Sequence, residues 1–221
     1  MKVNSLLLAS IALFAGLVTA AFYPSAGAPK AIVSEEMKAL EIGAVAPMAE
    51  VKMKDVSGES FSLTDLKKGN GLLVIFSCNT CPFVIGHGEK EGWEGRYNGL
   101  FETCEKNEMG MVLVNSNEAK RTGDDSMDEM IKRAQEKAYK MNYVLDPGSA
   151  MADAFGARTT PHVYLFDKDL KLVYQGKIDD NVNSAKKVKA EYLNDALKNL
   201  ANGKPCDPNR TEALGCSIKR I

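Results

Sequence analysis

Two cysteines two residues apart, in Cys78-Asn79-Thr80-Cys81, follow directly on the apolar run Leu72-Leu73-Val74-Ile75-Phe76. A run of that length reads as a buried strand, which would deliver both thiols to the start of a helix. A helix start offers unpaired N–H groups and the positive end of the macrodipole, and both favour a thiolate over a thiol. At this spacing the sulfurs can close a small disulfide ring, so that one attacks and the other resolves the mixed disulfide it forms. The same spacing also supplies half of a zinc site. The rest of the chain has to decide between these chemistries.

Other reactive side chains are few. His87 and His162 are the only histidines. His87 falls on the far side of an unbroken helix from the cysteines and reads as a solvated surface residue. His162 follows Thr160-Pro161 and reads first as a strand residue, with tuning of a thiolate or metal ligation as its sharper roles. Cys78, Cys81 and His162 are the set on which a copper or zinc carrier would rest. Trp93, the single tryptophan, either lines a groove beside the cysteines or anchors the core. Cys104, at helical spacing from Leu100 and Phe101, reads as a small buried hydrophobe.

The elements that must position the motif are short. Segments around Val51-Lys52-Met53 and Ser60-Phe61-Ser62-Leu63, with the turn Asp55-Val56-Ser57-Gly58 between them, predict a hairpin. Thr64 to Lys68 is a helical turn. After the cysteines, Gly86, Gly88, Gly92 and Gly95 are too many for a straight helix, so a break is expected there. A helix through Trp93, Tyr97, Leu100 and Phe101 then leads to the strand Met111 to Asn115. Ser126 to Tyr139 is amphipathic, with Met127, Met130, Ile131 and Ala134 on one face, a core face rather than a thioether site. The strand Tyr143-Val144-Leu145, a helical turn around Ala150 to Phe155 and the segment Thr159 to Phe166 follow. Leu172 to Gly176 makes the second arm of a strand pair, and a helix from Lys186 to Leu200 closes the domain. This order is mixed α/β with an antiparallel end.

The chain has 221 residues, 45% of them hydrophobic and 26% charged, with a formal net charge of -1. That is one domain with a proper core, and no basic surplus points to nucleic acid. Residues 1–20 read as a signal peptide: Lys2, an apolar core from Leu6 to Val18, and a small-x-small site at Val18-Thr19-Ala20. An uncleaved N-terminal anchor is the alternative. Residues 21–41, with Phe22-Tyr23-Pro24-Ser25-Ala26-Gly27-Ala28-Pro29, read as a linker, residues 42–200 as the domain and residues 201–221 as a cysteine-containing tail. The expected location is periplasmic or secreted, with no stable membrane insertion of the mature chain.

Export makes disulfides possible. Cys78 with Cys81 is one candidate pair, and Cys206 with Cys216 is another. A tail disulfide across that loop would stabilise by ~2–3 kcal/mol on the chain-entropy estimate. The sharper alternative is that the tail pair exchanges with Cys78-Cys81 and relays electrons within one chain.

Cys78-Asn79-Thr80-Cys81-Pro82 behind a strand, Thr160-Pro161 before another, and Gly43-Ala44-Val45-Ala46-Pro47 with Asp55-Val56-Ser57-Gly58 upstream together resemble the thioredoxin superfamily, and within it the redoxin or peroxiredoxin-like proteins. The resemblance spans Ile42 to Leu200. It implies a thioredoxin-like α/β fold, a central mixed sheet flanked by helices with an N-terminal hairpin extension. It implies also that Pro161 is cis beside the active cysteine, with Thr160 presenting its backbone to a partner polypeptide. Cys78, Cys81, Thr160 and Pro161 are therefore the expected site. Two registers are open: Cys78 attacks and Cys81 resolves, or Pro82 begins the helix, Cys81 caps it and becomes the more acidic sulfur.

Two departures from the family pattern matter. The buried acid that thioredoxins carry six positions before the first cysteine is replaced by Leu72 or Ile75, according to register. The Thr or Ser that peroxiredoxins carry three residues before the peroxidatic cysteine is Ile75 or Cys78. The expected activity is thiol-disulfide oxidoreductase, with cysteine-containing protein substrates, a protein electron donor or acceptor, no nucleic acid, no cofactor and no metal. A thiol peroxidase, a copper or zinc carrier, and an inert stapled scaffold are the competing readings.

Overall fold

The computed structural model describes residues 38–221. The expected leader and most of the expected linker lie outside the described residues. The hairpin forms as the sequence suggests: β1 (Met53–Asp55) pairs antiparallel with β2 (Ser60–Phe61). Its turn is closed by Asp55, whose carbonyl accepts the Gly58 N–H at 2.9 Å and whose carboxylate accepts the Ser57 N–H at 2.9 Å. The helical turn α1 (Leu63–Leu66) starts one residue earlier than expected, because Ser62 and Asp65 cap it reciprocally.

Strand β3 (Gly71–Ser77) follows, and every residue in it is buried. It ends at the cysteine loop, after which α2 (Pro82–Ile85) runs for only four residues. Gly86 ends it: φ is +82°, and a Cβ there would fall 2.6 Å from the Glu91 carbonyl oxygen. The break expected from the glycines is at this position.

The loop beyond is fixed by buried ion pairs. Asp179 accepts the Trp93 indole N–H at 2.8 Å and pairs with Arg96 Nε at 2.7 Å, while Glu94 takes Arg133 Nε at 2.6 Å and the Tyr139 hydroxyl at 2.6 Å. Trp93 is fully buried, so of its two expected roles it fills the core one.

Helix α3 (Tyr97–Lys106) leads into β4 (Met109–Asn115), and α4 (Met127–Glu136) is capped by Ser126, whose hydroxyl accepts the Glu129 N–H at 3.3 Å. Then come β5 (Asn142–Leu145), α5 (Ala150–Phe155), β6 (Thr159–Thr160), β7 (His162–Phe166) and β8 (Leu172–Gly176). The closing helix α6 (Tyr192–Ala201) begins six residues later than expected. The preceding loop is tied to itself instead, with Asp180 accepting the Lys189 N–H at 2.9 Å and only a single helical turn at Ala185–Lys187. The last element is β9 (Cys216–Ser217).

Among the described residues seven strands form one mixed sheet in the order β2-β1-β5-β4-β3-β7-β8, with β6 and β9 as a separate pair. This is the thioredoxin-like arrangement. Strand β3 lies inside the sheet between β4 and β7, parallel to β4 and antiparallel to β7. Both faces of the sheet are covered, which is why β3 reads as an unbroken apolar run and not an alternating one. Leu73, Ile75, Val163 and Leu165 face one core together with both motif cysteines, and Leu72, Val74, Phe76, Tyr164 and Phe166 face the other. Among the described residues no helix is long and apolar enough to cross a membrane.

Candidate active site

Register brings the site together. Phe76 of β3 lies opposite His162 of β7, so continuing the antiparallel pairing past the strand ends sets Pro161 opposite Ser77 and Thr160 opposite Cys78. The contacts agree: Thr160 Oγ1 lies 3.1 Å from Cys78 Sγ, and the Cys81 thiol donates to the Thr160 carbonyl at 2.9 Å. The Thr160-Pro161 peptide is cis. All four expected site residues therefore meet at the C-terminal end of β3, although they are some eighty positions apart in sequence.

Cys81, not Cys78, occupies the N-cap of α2, with Pro82 in the first helical turn. This is the second of the two registers. A helix of four residues has little macrodipole, so the acidity of Cys81 has a more local origin than expected. Its thiol is drawn below the usual range chiefly by the Cys78 side chain, with burial and the Cys216 side chain opposing and the N–H groups of Cys216 and Phe83 assisting. The same pairing pushes Cys78 well above the usual range, and burial and the Asp125 carboxylate push it further. Other contacts run against this order: Cys78 Sγ accepts the Cys81 N–H at 3.3 Å and lies 3.1 Å from the Thr160 hydroxyl, and both favour a Cys78 thiolate. The Thr160 carbonyl, 2.9 Å from Cys81 Sγ, favours the protonated thiol, so ionisation requires the sulfur to turn toward its donors. The Cys78 side chain outweighs these and leaves Cys81 the more acidic of the pair.

Asp125 was not singled out by the sequence. Fully buried, it accepts the Asn79 N–H at 2.7 Å, Asn115 Nδ2 at 2.8 Å, Asn117 Nδ2 at 2.9 Å and the Thr80 hydroxyl at 3.3 Å. The Tyr143 hydroxyl completes the net, donating to Asn79 Oδ1 at 3.0 Å. Asn115 ends β4 beside Ser77, which ends β3, so parallel pairing carries this network under the cysteine loop. Nothing in the acidic surface-like segment Asp124-Asp125 signals such a role.

His162 is placed elsewhere. Its ring hydrogen-bonds at 3.4 Å to the Arg158 N–H, the Tyr164 hydroxyl and Gln175 Nε2, and burial lowers its pKa to about 4. It lies on the Tyr164 face of β7, opposite the face that meets the sulfurs. His87 is exposed, as expected. Among the described residues no three of His, Cys, Asp and Glu converge as a metal set. Cys104 is buried, and burial pushes its thiol up to about 12. All five cysteines are free thiols in this structure, both candidate pairs alike: Cys206 rests on α6, 3.6 Å from the Ala196 carbonyl, while Cys216 is held at Thr160 by β9.

The AhpC/TSA family model matches residues 42–175. The chain belongs to the AhpC/TSA family. An uncharacterised conserved protein from Geobacillus kaustophilus is 32% identical, with a TM-score of 0.73 over 82% of this chain and 93% of that one. A hypothetical protein from Sinorhizobium meliloti is 26% identical, with a TM-score of 0.73 over 83% and 97%. Peroxidoxin BcpB from Mycobacterium tuberculosis shares the fold at 13% identity, with a TM-score of 0.50 over 74% and 95%. A search of curated proteins gives no match. Membership of AhpC/TSA, together with the thioredoxin-like fold, makes this a thiol redox protein.

Proposed function

We propose that the protein is an exported thiol-disulfide oxidoreductase in which Cys81 attacks and Cys78 resolves. The observation that carries this reading is the placement of both sulfurs on Thr160 at the head of α2, Cys81 at the N-cap with its thiol 2.9 Å from the Thr160 carbonyl and Cys78 Sγ 3.1 Å from Thr160 Oγ1, where the pairing draws Cys81 down and holds Cys78 up. A pair split this way has one thiol that ionises more readily and a resolver that keeps its proton until a mixed disulfide forms.

In the reducing direction the Cys81 thiolate attacks one sulfur of a client disulfide. The Cys81–client bond forms, the client bond breaks, and the departing client thiolate takes a proton. Cys78 then loses its proton and attacks Cys81 Sγ, which closes the Cys78–Cys81 disulfide and releases the second client thiol. The oxidising direction runs the same steps backwards, and the potential of the pair against its donor or acceptor sets which one prevails. Thr160 fixes both sulfurs through its hydroxyl and carbonyl, and Asp125 holds the loop between them. Export rests on the signal-like pattern of residues 1–20.

Insulin reduction by the wild-type protein, C81S and C78S tests this reading. C81S is expected to lose activity, and C78S, unable to close the Cys78–Cys81 disulfide, to turn over more slowly. Equal rates in all three reject it. Thiol peroxidase is the second reading, favoured by the family match. Cys78 stands three residues before Cys81, where Thr or Ser is expected for that chemistry. Rapid peroxide consumption with sulfenic acid on Cys81 would establish it.

A further inference from the structure

The chain beyond α6 returns to the sulfurs. It first runs along the edge of β8, where Gln175 donates its N–H to the Asn209 carbonyl at 3.0 Å and Thr211 donates to the Gln175 carbonyl at 2.9 Å. It then crosses to β6 and pairs antiparallel, with Cys216 opposite Thr160 and Ser217 opposite Thr159. Gly215 permits the approach, since a Cβ there would fall 2.2 Å from the Thr160 carbonyl oxygen. Past Cys216 the end is fastened again. Ile218 is buried and donates to the Arg158 carbonyl at 3.0 Å, the Lys219 N–H donates to Asn117 Oδ1 at 2.9 Å, and Arg220 pairs with Asp153 at 2.6 Å.

This threading sets Cys216 on Cys81. The Cys216 N–H donates to Cys81 Sγ at 3.3 Å. Cys78 and Cys81 are each only about 2% exposed beneath it, whereas Cys216 is half-buried. An extended segment added beside Thr160, carrying a sulfur to Cys81, is how a cysteine-bearing peptide would dock by strand addition. Here the chain supplies that peptide itself.

We propose that Cys216 is a third redox cysteine, an in-chain exchange partner that takes the disulfide from Cys78-Cys81 and presents it at the surface. This rests on the oxidoreductase reading above. The Cys216 thiolate attacks Cys81 Sγ; the Cys81–Cys216 bond forms, the Cys78–Cys81 bond breaks, and Cys78 leaves as a thiolate and takes a proton. The oxidation level is unchanged, so the step needs no external oxidant. A thiolate of a client dithiol then attacks Cys216 Sγ and expels Cys81 as a thiolate. The second client thiol loses its proton and displaces Cys216, which leaves an oxidised client and a reduced tail. A client disulfide runs the sequence in reverse. Exchange at Cys216 also answers the access problem, because a protein client cannot reach sulfurs this buried while β9 is in place.

The full chain of C78S, treated with oxidised glutathione, tests the step directly. Attack of Cys81 on glutathione disulfide gives a mixed disulfide and glutathione, and Cys216 should then displace the second glutathione. Tryptic digestion should show residues 69–90, with Cys81, joined to residues 211–219, with Cys216, and Cys206 free to alkylate. C78S/C216S should keep glutathione on Cys81. In otherwise wild-type protein, C216S should slow exchange with a protein client by about tenfold and with dithiothreitol by less than about twofold, because only the larger partner needs the surface thiol. C206S should change neither.

Glutathione retained on Cys81 of C78S with Cys216 still alkylatable, or wild-type client rates in C216S, overturns the relay and leaves the tail a cover. Failure of wild-type protein to exchange with either partner removes instead the oxidoreductase reading beneath it.

Discussion

Asp125 Oδ1 accepts the backbone N–H of Asn79 at 2.7 Å, so a residue far along the chain sets the shape of the loop between the two sulfurs. Asp125→Ala would leave that N–H and the amides of Asn115 and Asn117 unsatisfied in a buried site. The expected loss of stability is about 3 kcal/mol, given ~1–3 kcal/mol for each orphaned buried donor and partial relaxation. Urea unfolding measures it. Asp125→Asn keeps the shape but removes the charge, so the Cys78 thiol should titrate lower than in wild type; an unchanged Cys78 titration would show that the carboxylate does not act on it.

Of the two motif sulfurs, Cys81 should be the first to react with iodoacetamide. Because its thiol lies below the usual range and that of Cys78 well above it, the alkylation rate of Cys81 should rise and level off at lower pH than that of free cysteine. Peptide mapping of singly alkylated protein distinguishes the two sulfurs. Preferential labelling of Cys78 at neutral pH would reverse the assigned roles.

How much of this could be read from the sequence depended on the range of the interactions involved. Pro82 fixed where α2 begins, and Gly86 fixed where it ends, because both act through their own backbone. The apolar run of β3 and the Asp55 to Gly58 turn were equally local. Asp125 was invisible because its meaning depends on β4 lying beside β3, which sets Asn115 next to Ser77. The placement of His162 could have been inferred from strand alternation, since it shares a parity with Tyr164 and Phe166 while Val163 and Leu165 face the sulfurs. The tail misled for a different reason. Two cysteines in a short loop invite pairing, but β6 captures Cys216 through backbone bonds that no side-chain pattern announces.

His162 should make stability fall in mild acid. Its pKa is lowered from 6.5 to about 4 in the fold, chiefly by burial, so between those values the unfolded chain binds a proton that the folded chain refuses. Stability is therefore intact above pH 6.5 and declines as pH drops toward about 4, by at most about 3 kcal/mol for this group. The difference in unfolding free energy between wild type and His162→Gln, followed from pH 7 to pH 4, isolates it from the carboxylates. A constant difference across that range would show that the ring titrates normally.

Gly215→Val should loosen the tail. A side chain at this position would collide with the Thr160 carbonyl, 2.2 Å from the Cβ position, and nothing flexible there can yield. Labelling of Cys81 by a polymer-bearing maleimide, slow in wild type, should become fast, while the cooperative unfolding of the sheet should change little. Unaltered labelling would mean that the tail already opens freely.

Strand β6 has two residues, and its pairing is with β9. A chain cut before Gly215 would bare the main-chain donors and acceptors of Thr159 and Thr160, and exposed strand edges recruit strands from other molecules. Such a fragment is adhesive as well as uncovered.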